Sequence, residues 1–405
     1  MLSEIAPRRE ETTAARLNPP PMGLRSAYGP EIPRGFDQSR TLSDLNGPVL
    51  RPIRSNGIGS DAYAIVWDGK RLHGLNASGR SPAAWTLDYF KGRSAMPVRG
   101  WDTVTVPGCV QAWVELHASF GKLPFKKLSE RASQYGREGY LVSLTIAGQW
   151  EKQMSELKDQ PGFAKAFLPG GRAPRPGERF RFPEHAKVLE RIAATKGKAF
   201  YRGELAEKIE AHARKHGGAG SPPKGGTVYL TAADASGMMV SYIQSNYMGF
   251  GSGVVVDGIS IQNRGGTFVL KPGHPNCVGP GKRPYQTIIP GFVTNDRKPV
   301  MSFGVMGGTM QPQGHAQVMV RIADYGQSPQ AACDGPRFRV VQGLDVSVEE
   351  GNFPAASLEE LQRRGHRIVK IDDYNQFGSA QLIWKLDGGY FSASDPRRDG
   401  QAVGF

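Results

Sequence analysis

Long hydrophobic runs are missing from this sequence. No apolar stretch approaches the roughly 18–20 residues that a helix needs to cross a bilayer, which excludes a helical membrane protein and makes a membrane partner unexpected. Charged residues between Glu4 and Arg9 open the chain with no apolar segment behind them. No secretory signal is recognisable, so the cytoplasm is favoured over the periplasm. Cysteine is scarce: Cys109, Cys277 and Cys333 are widely spaced and odd in number, which argues against a disulfide framework or zinc knuckle and for buried, inert thiols. His274, His315 and His366 lie far apart and belong to no HExxH or Cys/His pattern, so no metal is expected. No phosphate-cradling loop occurs, the glycines are read as turns, and no cofactor is expected. Internal repeats of fixed period are likewise absent.

What the chain has in excess is positive charge, a formal +14. The basic residues are spread along the sequence, and no helix-turn-helix, RNA-recognition or zinc-finger pattern organises them. A solvated basic surface follows, with no nucleic-acid partner. The 405 residues, 39% of them hydrophobic, suffice for one large globular domain or two ordinary ones.

Pattern along the chain is uneven. Residues 1–55 mix arginine with proline and show no periodicity, a composition that favours disorder. Order begins at Asp61, with an apolar strand at 62–67, a turn at Asp68-Gly69-Lys70 and a partner strand from Leu72 to Leu75. Helices are expected at 110–120, 152–167, 183–194 and 203–216, with a Gly/Pro/Arg loop at 170–181 and a flexible connector at 217–224. After Thr227 the texture changes to short strands at 228–233, 239–244, 253–261, 286–293 and 300–305. A packed helix at 315–325 and a strand at 379–386, ending in the turn Asp387-Gly388-Gly389, follow. This is an α/β (α+β) chain in stacked layers, helix over sheet over sheet over helix.

The connector ends on Gly225-Gly226-Thr227-Val228-Tyr229-Leu230-Thr231. Alone, Thr227 is a β-branched residue opening a strand. Its company says more. Downstream come Asn246-Tyr247-Met248-Gly249-Phe250-Gly251-Ser252-Gly253, Lys271-Pro272-Gly273, Gly281-Lys282-Arg283-Pro284 and Met306-Gly307-Gly308. Asp324-Tyr325-Gly326, Ala332-Cys333-Asp334-Gly335-Pro336-Arg337 and Ala393-Ser394-Asp395-Pro396-Arg397 complete the series. In this order the blocks resemble the small subunit of gamma-glutamyltranspeptidases across nearly all of 227–405. Upstream, Asn56-Gly57-Ile58-Gly59-Ser60-Asp61-Ala62, Val106-Pro107-Gly108 and Phe200-Tyr201-Arg202-Gly203 resemble the large subunit.

The resemblance implies an N-terminal nucleophile hydrolase, a four-layer αββα sandwich, here with segments missing. It divides the chain into a poorly ordered segment 1–55, a shortened large-subunit part 56–226 and a catalytic small-subunit part 227–405. The bond between Gly226 and Thr227 would be cut, giving two chains of one precursor that could further pair as a homodimer. The freed α-amine, with a pKa near about 8, would serve as base for the Thr227 hydroxyl. Gly307 and Gly308 match the glycine pair whose amides stabilise the oxyanion. Ser241, Ser245 and Asn246 fall where the family orients nucleophile and substrate; Tyr229 and Thr231 match the family's aromatic-histidine and serine positions, and strand packing explains them equally well. The implied activity is hydrolysis or acyl transfer on γ-glutamyl amides such as glutathione. The alternatives are an acylase for other small amides, glutaryl or β-lactam side chains among them, and an inactive shortened remnant.

Several positions depart from the family pattern. Leu87 stands where an arginine grips the substrate carboxylate, and the family's paired serines become Gln286 and Thr287. Its acidic residue falls on Thr267 and a neighbouring glutamine on Arg264, which could supply a replacement carboxylate contact. Between His216 and Thr227 only ten residues stand where the family carries many more strands and helices, a loss that could expose sheet edges.

Overall fold

A computed structural model describes residues 56–218, 228–371 and 377–404. The disorder expected for 1–55, and the positions Gly226 and Thr227, lie outside the described residues.

Strand β1 (Asp61–Trp67) forms because small and branched residues alternate between two covered faces. It is flanked on one side by β2 (Leu72–Ala77), and Asp68 closes the turn between them by accepting from the Lys70 and Arg71 amides. Helix α1 (Cys109–Phe120) follows β2 through a tight crossing. A Cβ at Gly79 would run into the Val106 carbonyl, and one at Gly108 into that of Ala77. That close approach is the physical content of the Val106-Pro107-Gly108 block.

Helices α2 (Phe125–Glu138), α3 (Leu144–Leu157), α4 (Pro183–Thr195) and α5 (Glu204–Lys215) then build an outer layer. The expected single helix at 152–167 is two. Ser143 caps α3 earlier, its hydroxyl accepting from the Ile146 amide, and Pro161-Gly162 separates α3 from the short helix Phe163–Phe167. Helix α2 was not legible, because its first two turns, Phe125-Lys126-Lys127-Leu128-Ser129-Glu130, are mostly polar.

Strands β3 (Val228–Ala233) and β4 (Met239–Ser245) complete the first sheet in the order β2-β1-β4-β3. The expected strand at 253–261 is instead a minimal hairpin, Val255–Val256 with Ile259–Ser260, turned at Asp257-Gly258 where both residues have positive φ. Strands β5 (Gly291–Asn295) and β6 (Lys298–Met306) open the second sheet, so 286–290, expected as strand, lies outside the ladder. Helix α6 (Gln311–Ala323) begins earlier than expected, with Pro312 in its first turn, and α7 (Pro329–Asp334) follows. A small sheet of β7 (Phe338–Gln342), β8 (Asp345–Val348) and Arg367–Ile368 precedes β9 (Ser379–Leu386) and β10 (Gly389–Ser394). The second main sheet has the order β10-β9-β6-β5.

The two main sheets stack face to face. Thr231 and Ser302 pair their hydroxyls, the Ser241 hydroxyl donates to the Phe303 carbonyl, and the Tyr229 ring covers Gly304 where a side chain would collide. Ala62, Ala64, Val66 and Tyr242 face the outer helices, whereas Met301, Phe303 and Val305 pack with Val318 and Ile322 of α6. The order is helix, sheet, sheet, helix, as the patterning implied. Cys109 and Cys333 are buried; Cys277 is only partly so, a correction to the expectation of three buried thiols. No helix among the described residues is long and apolar enough to cross a membrane.

Candidate active site

Across the gap between sheets, β3 and β6 run in opposite directions: Thr231 meets Ser302 and, two residues upstream, Tyr229 meets Gly304, two residues downstream. The N-terminal end of β3 and the C-terminal end of β6 are therefore at the same end of the sandwich. Met306 packs there with Tyr229, Ile243 and Ile288. Beyond Met306 the chain turns through Gly307 (φ 150°) and Gly308 (φ 58°) into the 3-10 turn Gly308–Met310 that leads into α6. Neither glycine amide hydrogen-bonds another group among the described residues.

At the same end β3 opens at Val228, opposite Gln244 of β4, so the ladder stops one residue short of Ser245 and two short of Asn246. Ser245 in turn faces Asp61 across β1, and all three side chains are fully buried. The Asn246 amide has no hydrogen-bond partner at either Oδ1 or Nδ2 among the described residues. A buried amide left unpaired is costly, and such groups cluster where a ligand completes them.

Arg264 comes from the turn Arg264–Thr267, which its neighbours hold rigidly. Gln262 donates to the Thr105 hydroxyl (2.7 Å), Asn263 donates to the Val98 carbonyl (2.7 Å), and the Trp85 ring closes over Gly265 with no room for a side chain. The Arg264 guanidinium is 0% exposed. Nη1 donates to the Thr287 hydroxyl (2.9 Å), Nη2 to the Ser245 hydroxyl (2.8 Å), and the half-buried Tyr247 ring lies 5.0 Å away on its face. Burial holds its pKa below the usual arginine value, with the Asp61 carboxylate opposing that shift. Asp61 is itself engaged: Oδ1 accepts from the Gly79 amide (3.0 Å) and Oδ2 from Gln286 Nε2 (3.2 Å). Gln286 Oε1 is buried without a partner among the described residues.

The structure thus brings Asn246, Arg264, Gln286 and Thr287 into one cluster around Ser245 and Asp61, with Gly307 and Gly308 at the same end. Gly226 and Thr227 lie outside the described residues, although Val228, which follows them in the chain, opens β3 beside that cluster. Tyr229 and Thr231 serve to join the sheets, Tyr229 also sharing a hydrogen bond with Ser241 (2.8 Å). Leu87 is 36% exposed and contributes no polar group, but Trp85, two residues away, packs on the Arg264 turn. Two residues of the cluster, Asp61 and Tyr247, were not singled out as functional from sequence. The available signal was an acid opening an otherwise apolar strand.

The gamma-glutamyltranspeptidase family model matches residues 49–222 and 219–405. The chain belongs to the gamma-glutamyltranspeptidase family. Its relatives include a glutathione hydrolase-like proenzyme of Bacillus subtilis, 29% identical over 475 residues that take in 86% of this chain and 90% of that one. An oxamate amidohydrolase proenzyme of Klebsiella pneumoniae is 28% identical over 478 residues, again 86% of this chain and 90% of the other. Both alignments contain more positions than this chain has residues, so the relatives carry segments that it lacks. Among solved structures, a cephalosporin acylase from Bacillus halodurans is 35% identical and superposes with a TM-score of 0.83, covering 89% of this chain and 90% of that one. The fold is that of the N-terminal nucleophile hydrolases, and this gamma-glutamyltranspeptidase-family chain is a hydrolase/transferase-type enzyme whose relatives act on varied amides.

Proposed function

We propose that this family member is a self-processing threonine amidohydrolase or acyltransferase that works on small amides, γ-glutamyl amides such as glutathione among them. The single observation that carries the reading is the meeting, at one end of the sandwich, of the β3 opening, the Gly307-Gly308 amides and a buried cluster containing the unpaired Asn246. The odd positions of β3, Tyr229 and Thr231, face the gap between sheets. Relatives named as proenzymes support processing into two chains, and the proposed cut at Gly226–Thr227, giving 1–226 and 227–405, is the division read from the sequence.

In maturation the Thr227 hydroxyl adds to the Gly226 carbonyl, the Gly226–Thr227 C–N bond breaks, and an ester joins Gly226 to the threonine oxygen. Water then cleaves that ester, releasing the Gly226 carboxylate and the Thr227 amine. In turnover this amine takes the proton from the hydroxyl as the oxygen attacks the substrate amide carbon. The Gly307 and Gly308 amides receive the developing oxyanion, the proton passes to the departing amine, and an acyl ester remains. Water or an acceptor amine resolves it. Asn246 would orient the acyl group, with Gln286, Thr287 and Arg264 lining the far side.

The test is intact-mass analysis together with Thr227→Ala. The wild type should mature from 44.0 kDa into two chains. Thr227→Ala should stay whole and lose amidase activity by about three orders of magnitude or more. A wild-type chain that remains uncut and inactive after long incubation would support the shortened-remnant reading instead.

A further inference from the structure

The cluster holds a cation with no acid in contact. Arg264 is fully enclosed, yet its two terminal nitrogens donate only to the hydroxyls of Thr287 and Ser245, and no carboxylate lies within ion-pair distance of it among the described residues. A guanidinium offers five donors in a planar fork shaped for a carboxylate, and hydroxyl acceptors leave most of that capacity unused. Keeping such a charge enclosed is expensive unless an anion completes it. Asp61 acts on Arg264 through its field alone, its oxygens being taken by the Gly79 amide and Gln286.

The surroundings fix this group in place. The Arg264 turn is gripped by Gln262, Asn263 and Trp85, and the Tyr247 ring limits tilt of the guanidinium plane. Trp85 belongs to the same short segment as Leu87, the position at which the family resemblance expects the carboxylate-gripping arginine. The segment that lacks an arginine is therefore packed directly on the turn that supplies one. Asn246, adjacent in sequence to Ser245, adds a fully buried amide with an open donor and an open acceptor.

We propose that Arg264 is the substrate-carboxylate receptor of this enzyme, replacing the function missing at Leu87 from the turn on which the Leu87 segment packs. The substrates so recognised are amides whose acyl part carries a free carboxylate, with no need for an ammonium group. Binding exchanges a neutral hydroxyl acceptor on Arg264 for the carboxylate, and the charge of Asp61, already engaged, is not offered to an ammonium. This rests on the amidohydrolase reading above and narrows it.

The test compares kcat/KM of the mature enzyme for glutaryl, γ-glutamyl and butyryl p-nitroanilides. Glutaryl should exceed butyryl by about 10- to 100-fold, the usual worth of a charge-assisted contact, and should at least equal γ-glutamyl. In Arg264→Met the glutaryl-to-butyryl ratio should fall to within about threefold, chiefly through KM, and Arg264→Lys should restore part of it. Equal use of glutaryl and butyryl by the wild type, or an unchanged ratio in Arg264→Met, overturns the proposal while leaving the amidohydrolase reading intact. Calorimetric binding of glutarate needs no turnover. Binding by the wild type that is lost in Arg264→Met supports the proposal even if no anilide is cleaved, and absence of binding refutes it.

Discussion

Two enclosed arginines in this molecule are treated in opposite ways. Arg337 donates to the Asp395 carboxylate at 2.6 Å and to the carbonyls of Phe377 and Cys333. Asp395 also accepts from the Ala380 and Arg397 amides, and Arg397 continues the network to Glu349. Arg264 is just as deeply enclosed but touches two hydroxyls and an aromatic face. In both, Nε lacks a partner, so that feature does not distinguish them; the carboxylate does. A buried cation completed from within joins β7, β9 and α7 into one body. A buried cation left incomplete is a place for something outside the chain to bind.

The largest effect that would break this contrast is expected at Asp395. Asp395→Asn leaves Arg337 enclosed without its anion and should cost about 3–5 kcal/mol in unfolding free energy, measured by urea denaturation. A loss below about 1 kcal/mol would mean the paired arginine is not the structural one.

His185 sharpens the point with a third enclosed ionisable group. Its Nδ1 hydrogen-bonds the Gly258 carbonyl, and burial lowers its pKa from 6.5 to about 4. The folded chain thus binds this proton less readily than the unfolded one. The neutral ring's contribution is whole above pH 6.5, is lost as pH falls toward 4, and declines no further below that. About 3 kcal/mol is at stake in this window. Stability measured across it should fall less in His185→Gln than in the wild type.

The smallest effect is expected at Arg264 itself. Arg264→Met removes an enclosed charge together with two bonds to neutral hydroxyls, so stability should change by about 1 kcal/mol or less in either direction. A loss as large as that of Asp395→Asn would make Arg264 a structural residue and dissolve the comparison.

Much of the fold was legible because its strands carry their own punctuation. Asp68-Gly69 and Asp234 set turns by side-chain bonds to nearby amides, and the alternation of β1 and β3 declared two covered faces. Helix α2 was hidden by its polar first turns, whereas the break at Pro161-Gly162 is written in the sequence, because a proline followed by a glycine interrupts a helix. The residues of the candidate site were largely found by family resemblance rather than by pattern. Nothing local in Asn246 or Thr287 marks it as different from a surface polar residue. Asp61 escaped notice because its partner Gln286 is 225 positions away.

By itself the sequence determined the layers and the family, since alternation, turn chemistry and ordered motifs are local properties of the chain. Only the tertiary structure decided which polar residues lose their water together and which of them find partners. That is why one arginine is completed by an aspartate 58 positions away and another, equally buried, is not. Desolvation and long-range pairing depend on what the folded chain brings alongside, and no window of sequence contains that information.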